Sequence, residues 1–199
     1  MVQPARGLER ETEMHVEALA RESADMGAED LLECAIKRYF PGTIATVSSF
    51  GAEAALLLDM VARIDPATPV IFLETGKHFP ETLSYRDRLI GQLGLSDVRN
   101  ERPEAAERQS ADPDGHLWSR DPDRCCGLRK VRPLERAFTG FEAWITGRKR
   151  YQAETREDLP RVEVVDGRVK VNPLADWEEA DITEAFEARG LPSHPLVSQ

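Results

Sequence analysis

Cysteine is scarce in this chain. Three of its 199 residues are cysteines, and they are too few and too unevenly spaced for a disulfide framework, which is typical of a reducing compartment. No apolar run approaches the roughly 18 residues that a membrane span requires. The first fifteen residues carry several charges with no apolar stretch behind them, so a secretory signal is not expected. These absences predict a cytoplasmic protein with no membrane partner.

Positive charge is also in short supply. The chain has 26 Lys and Arg against 36 Asp and Glu, a net charge of −10, which argues against non-specific binding of nucleic acid or anionic lipid. The cations are concentrated in residues 120–156, which hold ten Lys and Arg and five Asp and Glu. A basic segment within an acidic protein indicates a local site for a small anion, and a solvated helix face is the alternative.

Short buried strands and amphipathic helices alternate in the first half of the chain. The pattern predicts a helix over residues 29–40, a β-branched strand over 43–47, a helix over 52–64 and a second buried strand over 69–73. Strand, loop, helix and strand within about 30 residues are typical of a parallel, right-handed βαβ unit. The sequence therefore predicts an α/β fold.

The second half continues this alternation. The predicted elements are a helix over 80–93, a strand near 97–100, a short helix over 103–109, a long functional loop over 111–124, a helix over 127–138, a strand over 141–146, a hairpin over 161–171 and a helix over 178–189. The hairpin is predicted to turn at Asp166 and Gly167. We expect one domain over residues 29–199, preceded by an amino-terminal helical extension over residues 1–28.

Two loops follow predicted strands and are candidates for ligand binding. They are residues 48–53 (SSFGAE) and 73–77 (LETGK), with His78 next to the second. Ligands of parallel sheets bind at the carboxyl ends of the strands, where hydroxyls, a glycine and a helix N-terminus can hold phosphate or sulfate. The spacing is not that of a Walker A loop. Ordinary helix capping by serine is the alternative explanation.

An adjacent pair, Cys125 and Cys126, lies at the predicted start of a helix and beside several Arg and Lys residues. Both surroundings favour the thiolate form, which serves as a nucleophile or as a ligand of soft metals. Two small buried residues are the alternative. Cys34 lies in an apolar helical stretch and is predicted to belong to the core.

Four segments carry a family resemblance: SSFGAEAALLLDMV, ATPVIFLETGKHFPETLSYRDRL, CCGLRKVRPLERAF with AWITGRKR, and VKVNPLADW. They closely resemble the adenylyl-sulfate and phosphoadenylyl-sulfate reductase family of assimilatory sulfate reduction and cysteine biosynthesis, in the same order, from about Ala35 onwards. The resemblance implies a single three-layer α/β domain with a mostly parallel sheet. The implied fold is ATP-pyrophosphatase-like, also called adenine nucleotide α-hydrolase-like. The implied reaction reduces adenylyl sulfate or phosphoadenylyl sulfate to sulfite and AMP or adenosine 3′,5′-bisphosphate, with thioredoxin or glutaredoxin as electron donor.

The same resemblance implies the substrate-binding residues. They belong to a modified phosphate loop, to a second strand end and to a basic segment. The implied contacts are Ser48, Ser49, Phe50, Gly51, Glu53, Glu74, Thr75, Gly76, Arg148, Lys149 and Arg150.

The double cysteine followed by Arg-Lys resembles the branch of the family that carries a [4Fe-4S] cluster and usually prefers adenylyl sulfate. Cys125 and Cys126 would be two of the four cluster ligands, and Lys130 would link cluster and substrate electrostatically. The family has its other two ligands in a later C-x-x-C and its catalytic thiol in an E-C-G motif, and neither is found in this sequence. We therefore expect a chain truncated at its carboxy terminus, which binds a sulfonucleotide weakly and does not reduce it.

Two alternative functions stay open. One is an ATP-pyrophosphatase-type nucleotide enzyme, which an S-G-G-x-D-S loop would favour and from which residues 48–54 depart. The other is an inactive sulfonucleotide-binding fragment. Both sulfonucleotides and every oligomeric state are compatible with the sequence.

Overall fold

Within residues 5–197, six short strands form one sheet in the order β3-β2-β1-β4-β6-β5. The computed structural model describes the backbone of residues 5–197 and the side chains of residues 12–197. The strands are β1 (Ile44–Val47), β2 (Val70–Leu73), β3 (Val98–Glu101), β4 (Ala143–Ile145), β5 (Val162–Val165) and β6 (Arg168–Val171). All neighbours are parallel except β5 and β6, which form an antiparallel hairpin at one edge.

Helices connect these strands. They are α1 (Ala5–Glu22), α2 (Ala28–Glu33), α3 (Ala54–Ile64), α4 (Pro80–Leu93), α5 (Ala105–Ala111), α6 (Leu117–Arg120), α7 (Pro122–Cys126), α8 (Arg132–Ala137) and α9 (Glu179–Arg189). A π-helical turn, Cys34–Tyr39, extends α2, and another, Gly127–Val131, joins α7 to α8. Short 3-10 turns follow β4 at Arg150–Gln152 and Glu154–Arg156. Among the described residues, no helix combines the length and the apolar character needed to cross a bilayer.

Both faces of the sheet are covered, which gives three layers. Neighbouring residues of a strand point to opposite faces. Ile44 of β1 packs in a large core that includes Leu31 of α2 and Leu56 of α3, whereas its neighbour Ala45 packs with Phe138 at the end of α8. The predicted three-layer α/β fold with a mostly parallel sheet is therefore confirmed.

Several local predictions are also confirmed. The units β1-α3-β2 and β5-β6 lie where the sequence places a βαβ unit and a hairpin. The hairpin turns at Asp166 and Gly167, which have φ angles of 51° and 73°, as a two-residue turn with the twist of its strands requires. In the predicted extension, Leu19 of α1 is fully buried in the same core as α2 and α3. Residues 1–4 of that extension lie outside the described residues.

The predicted loop over residues 111–124 is wrong in part, because α6 and α7 lie within it. The repeated Asp-Pro pattern resembles a loop in composition, but at Asp121 and Pro122 it begins a helix. The side chain of Asp121 accepts a hydrogen bond from the backbone of Arg124 at 3.0 Å, and Pro122 occupies the first turn. As a result, Cys125 and Cys126 lie in the interior of a helix that began earlier, and the backbone N–H of Cys125 already donates to the Asp121 carbonyl.

Candidate functional site

An open cavity of about 530 Å³ lies at the carboxyl ends of β1 and β4. It is lined by residues 47–49, 51–54, 57, 134, 144, 146–149 and 152. The chain runs from β1 to β2 on one side, whereas β4 lies on the other side of β1, so the strand order reverses at this point. Open α/β sheets bind their ligands in the crevice at such a switch point.

The loop after β1 forms one wall of the cavity. Its Ser48 hydroxyl accepts a hydrogen bond from the backbone of Phe50 at 3.1 Å. Phe50 has a left-handed backbone with φ of 51° and packs edge-on against Phe72, with ring centroids 5.5 Å apart. A left-handed conformation costs a bulky residue about 1–3 kcal/mol, which the packing must offset. Phe50 therefore anchors the loop in the core, while Ser49 and Gly51 line the cavity.

Helix α3 begins where this loop ends. Its N-cap residue, Glu53, makes no side-chain hydrogen bond to the helix, and its first turn contains no acidic residue. The first N–H groups of a helix lack internal partners and carry the positive end of the helix dipole. Since Ala54 and Leu57 of α3 line the cavity, this helix end is available to an anion there.

The carboxylate of Glu53 turns instead to the segment that follows β4. It pairs with Lys149 and accepts hydrogen bonds from Tyr151 Oη at 2.9 Å and Gln152 Nε2 at 2.8 Å. Burial acts to raise the pKa of Glu53, but the hydrogen bond and charge of Lys149, with the other two hydrogen bonds, outweigh it and hold the pKa below its usual value. Burial and the bond to Glu53 raise the pKa of Tyr151.

The three basic residues implied as substrate contacts have different environments. Arg148 is exposed and lines the cavity, and its guanidinium has no ion-pair partner among the side chains of residues 12–197. Lys149 is 2% exposed and is neutralised by Glu53. Arg150 pairs with Asp176, donates to the Leu159 carbonyl at 3.0 Å and does not line the cavity. Arg148 is therefore the cation of this trio that is available to a ligand.

The second implied loop, after β2, lies on the strand next to β1 but does not line the cavity. Glu74 is buried and accepts a hydrogen bond from the Gly76 backbone at 3.0 Å, and Gly76 has a left-handed φ of 69°. The Thr75 hydroxyl accepts from the Lys77 backbone at 3.2 Å. The neighbouring His78 contacts the Leu73 carbonyl at 2.9 Å. These polar groups shape the loop itself.

Arg129 connects this loop to the cysteine segment, a role that sequence reasoning missed. It is 5% exposed, donates to the Thr75 carbonyl and pairs with Asp112, which is fully buried. The hydrogen bond from Arg129 holds the pKa of Asp112 below its usual value. Arg129 lies four residues after Cys125 on the same continuous helix. In the sequence, Arg129 is one of many cations, and nothing local indicates a partner 54 residues away.

The two cysteines differ in exposure. Cys125 is buried in a small apolar cluster with Leu117 and Leu128, whereas Cys126 and Lys130 are exposed. A cysteine-ligated iron–sulfur cluster takes about four thiolates. Among residues 12–197, no group of three or more Cys, His, Asp and Glu side chains is placed to hold a metal ion. The described residues thus supply the right donor chemistry for such a cluster but not a complete ligand set.

Cys34 is a core residue, as predicted. It is 4% exposed and lies near Glu22 and Arg38. Burial raises the pKa of its thiol, with a further contribution from the charge of Glu22. Cys34 is therefore not a candidate for the site.

A mostly parallel three-layer sheet with a helix N-terminus at its switch point is typical of α/β proteins that bind nucleotides. The chain belongs to the family described as the phosphoadenosine phosphosulfate reductase domain, whose profile matches residues 43–199. The family predicted from the sequence motifs is thereby confirmed.

Curated relatives agree with this assignment. An adenosine 5′-phosphosulfate reductase of Mesorhizobium japonicum is 47% identical over 169 residues, which cover 85% of this chain and 66% of the relative. A phosphoadenosine 5′-phosphosulfate reductase of Gloeobacter violaceus is 38% identical over 197 residues, which cover 98% of this chain and 80% of the relative. The chain thus spans slightly less than two thirds of the Mesorhizobium protein.

Solved structures show the same fold. A phosphoadenylyl-sulfate reductase from Candida auris, in complex with phosphate, superposes with a TM-score of 0.79 and 26% identity, covering 93% of this chain and 90% of that one. An NH3-dependent NAD synthetase from Campylobacter jejuni shares the fold at a TM-score of 0.56 and 12% identity, and the match covers 88% of this chain and 74% of the synthetase. The two chains therefore share the fold.

Proposed function

We propose that this protein binds a sulfonucleotide in the cavity between β1 and β4 and acts in its reduction to sulfite. The nucleotide product would be AMP from adenylyl sulfate or adenosine 3′,5′-bisphosphate from phosphoadenylyl sulfate. The observation that carries the proposal is one cavity that holds both the α3 N-terminus, which has no side-chain cap, and Arg148, which has no ion-pair partner among the described side chains, in a chain of this reductase family. Relatives named for either substrate support the substrate class.

The residues of the cavity act by binding and orienting an anionic ligand. The N–H groups at the start of α3 and the guanidinium of Arg148 attract a phosphate or sulfate group. Ser49 and Gly51 permit close approach of that group to the loop backbone. The apolar side chains of Leu57, Leu134 and Trp144 supply the remaining surface for a nucleoside.

The electron balance requires a dithiol. Reduction of the sulfonucleotide to sulfite consumes two electrons. In our proposal, thioredoxin or glutaredoxin supplies them and is oxidised to its disulfide, and the reaction takes place in the cytoplasm. Cys125 and Cys126 are proposed as two thiolate ligands of a [4Fe-4S] cluster, with Lys130 beside them. Such a cluster would supply electrostatic or redox chemistry when bound, and iron and sulfide analysis of anaerobically purified protein tests it.

Calorimetric titration with adenylyl sulfate tests the binding proposal. Replacing the unpaired cation, Arg148→Ala, should weaken binding by about tenfold to a hundredfold, because a charge-assisted hydrogen bond is lost. Arg88→Ala is the matched control, since Arg88 is an exposed cation of α4 outside the cavity. Equal affinities for the two variants would contradict the proposed site.

Product analysis separates the alternatives. Sulfite release with reduced thioredoxin would support the reductase and would contradict the expectation that this sequence, without an E-C-G motif, does not reduce its ligand. Exchange of pyrophosphate with ATP would instead support an ATP-pyrophosphatase-type enzyme. Binding of adenylyl sulfate without either reaction would indicate a binding protein. Parallel titration with phosphoadenylyl sulfate determines which sulfonucleotide binds more tightly.

A further inference from the structure

The carboxylate of Glu53 joins the two walls of the cavity. Glu53 belongs to the loop after β1, whereas its partners Lys149, Tyr151 and Gln152 belong to the segment after β4, about a hundred residues later in the chain. No other side-chain hydrogen bond between residues 48–53 and 146–152 occurs in the described part of the chain. Beyond the paired strands β1 and β4, this carboxylate therefore makes the side-chain hydrogen bonds that join the two walls.

The charge balance at this junction is tight. Lys149 is 2% exposed and has Glu53 as its ion-pair partner, so loss of the carboxylate leaves a buried ammonium ion without compensation. Conversely, the negative charge of Glu53 would repel an anionic ligand at the start of α3 if Lys149 did not neutralise it. Glu53 occupies the N-cap position, but its side chain makes no hydrogen bond to α3 and is directed to the segment after β4.

We infer that Glu53 is a positioning residue: it fixes the 149–152 segment against the loop after β1 and leaves the N-terminus of α3 free for the anion. This inference rests on the proposed function and changes the role of Glu53 from substrate contact to support of the substrate site. Arg148 gains its place in the cavity from the same junction, since its neighbour Lys149 is tied to Glu53.

The key test is the sign of the change in affinity for adenylyl sulfate in Glu53→Gln. Removing a negative charge from an anion site should strengthen binding if Glu53 acts only through its charge. A positioning role predicts the opposite, a loss of about tenfold or more, because the amide cannot accept from all three donors and the walls separate. The double variant Glu53→Gln with Lys149→Met, which removes both charges, should recover part of this loss.

A matched control is present in α3. Asp59 is also buried, and it accepts from Arg63 at 2.8 Å and from Arg189 at 2.8 Å, outside the cavity. Asp59→Asn should lower the melting temperature as Glu53→Gln does, but should leave the dissociation constant for adenylyl sulfate unchanged. An equal loss of affinity in both variants would show a general effect on stability and would overturn the inference.

Hydrogen exchange without ligand gives an independent measure. In Glu53→Gln, backbone amides of residues 148–152 should exchange faster than in the wild type, whereas in Asp59→Asn they should not. Unchanged exchange, or unchanged or tighter binding in Glu53→Gln, would overturn the positioning role. If the wild type fails to bind adenylyl sulfate, the proposed function fails, and the exchange result still decides whether Glu53 joins the two walls.

Discussion

Removal of the Arg129 guanidinium should be among the most damaging single changes in this fold. Arg129→Met leaves the fully buried carboxylate of Asp112 without its ionic partner. One further hydrogen bond to that carboxylate is left, from the Leu117 backbone at 2.8 Å. Breaking a buried ion pair from one side costs about 3–5 kcal/mol. For a chain of this length each kcal/mol lowers the melting temperature by about 2–4 °C, so the expected loss is roughly 6–20 °C.

Thermal unfolding followed by circular dichroism measures this loss, and the same segment supplies a control. Arg120 and Asp114 form an ion pair with side chains 54% and 50% exposed, and such pairs contribute about 0–1 kcal/mol. Arg120→Met should therefore lower the melting temperature by at most about 4 °C. Arg129→Lys, which keeps the charge but not the planar fork, should be intermediate. If Arg129→Met and Arg120→Met melt within 2 °C of each other, the assignment of a buried, stabilising pair to Arg129 is refuted.

Three further outcomes are expected. The pKa values of the Asp112 and Glu53 carboxyls lie below their ordinary 3.8 and 4.5, mainly because Asp112 bonds Arg129 and Glu53 bonds Lys149. The stability that these carboxylates contribute is therefore complete above the ordinary pKa values and is lost as the pH falls through the lowered pKa values. The melting temperatures of Asp112→Asn and wild type should converge in that acid range, and a constant difference would contradict this. Burial raises the pKa of Tyr85 to about 12, and those of Tyr39 and Tyr151 are also raised, so absorbance titration should show no phenol ionising near pH 10 before the protein unfolds. Gly91→Ala within α4 meets no neighbouring atom and should raise the free energy of unfolding by about 0.5–1 kcal/mol, whereas Gly76→Ala, at a φ of 69°, should lower it by about 1–2 kcal/mol; urea denaturation measures both, and equal signs would be inconsistent with these backbone conformations.

Local patterns were sufficient to predict most elements of the fold. The β-branched strands and the Asp-Gly turn at Asp166 depend on neighbouring residues, and they lie where the sequence places them. The order of the strands depends on contacts between distant segments, so the switch point between β1 and β4 could not be read from periodicity. The helices within residues 111–124 were missed because Asp and Pro are common at the starts of helices as well as in loops.

The resemblance grouped the loop after β1 with the basic segment after β4, and the two line one cavity. Their role as substrate contacts stays a prediction. The choice of ion-pair partners is not local, since Lys149 pairs with a residue 96 positions away and Arg150 with one 26 positions away. Sequence alone therefore gave Arg148, Lys149 and Arg150 the same role, whereas the structure leaves Arg148 available to a ligand.

Two charged groups of opposite sign join loops at the carboxyl edge of the sheet. Glu53 receives donors from the segment after β4, and Arg129 donates from the cysteine helix to the loop after β2. A charged residue suits this task because several hydrogen bonds can converge on one side chain, and each is stronger than a neutral bond. Since parallel strands end in loops with few hydrogen bonds of their own, such junctions supply order where the sheet stops. The same dependence makes these loops sensitive to loss of one charge. A substitution at Glu53 therefore discriminates between support of the site and contact with the ligand, whereas one at Arg129 measures what a buried ion pair contributes to stability.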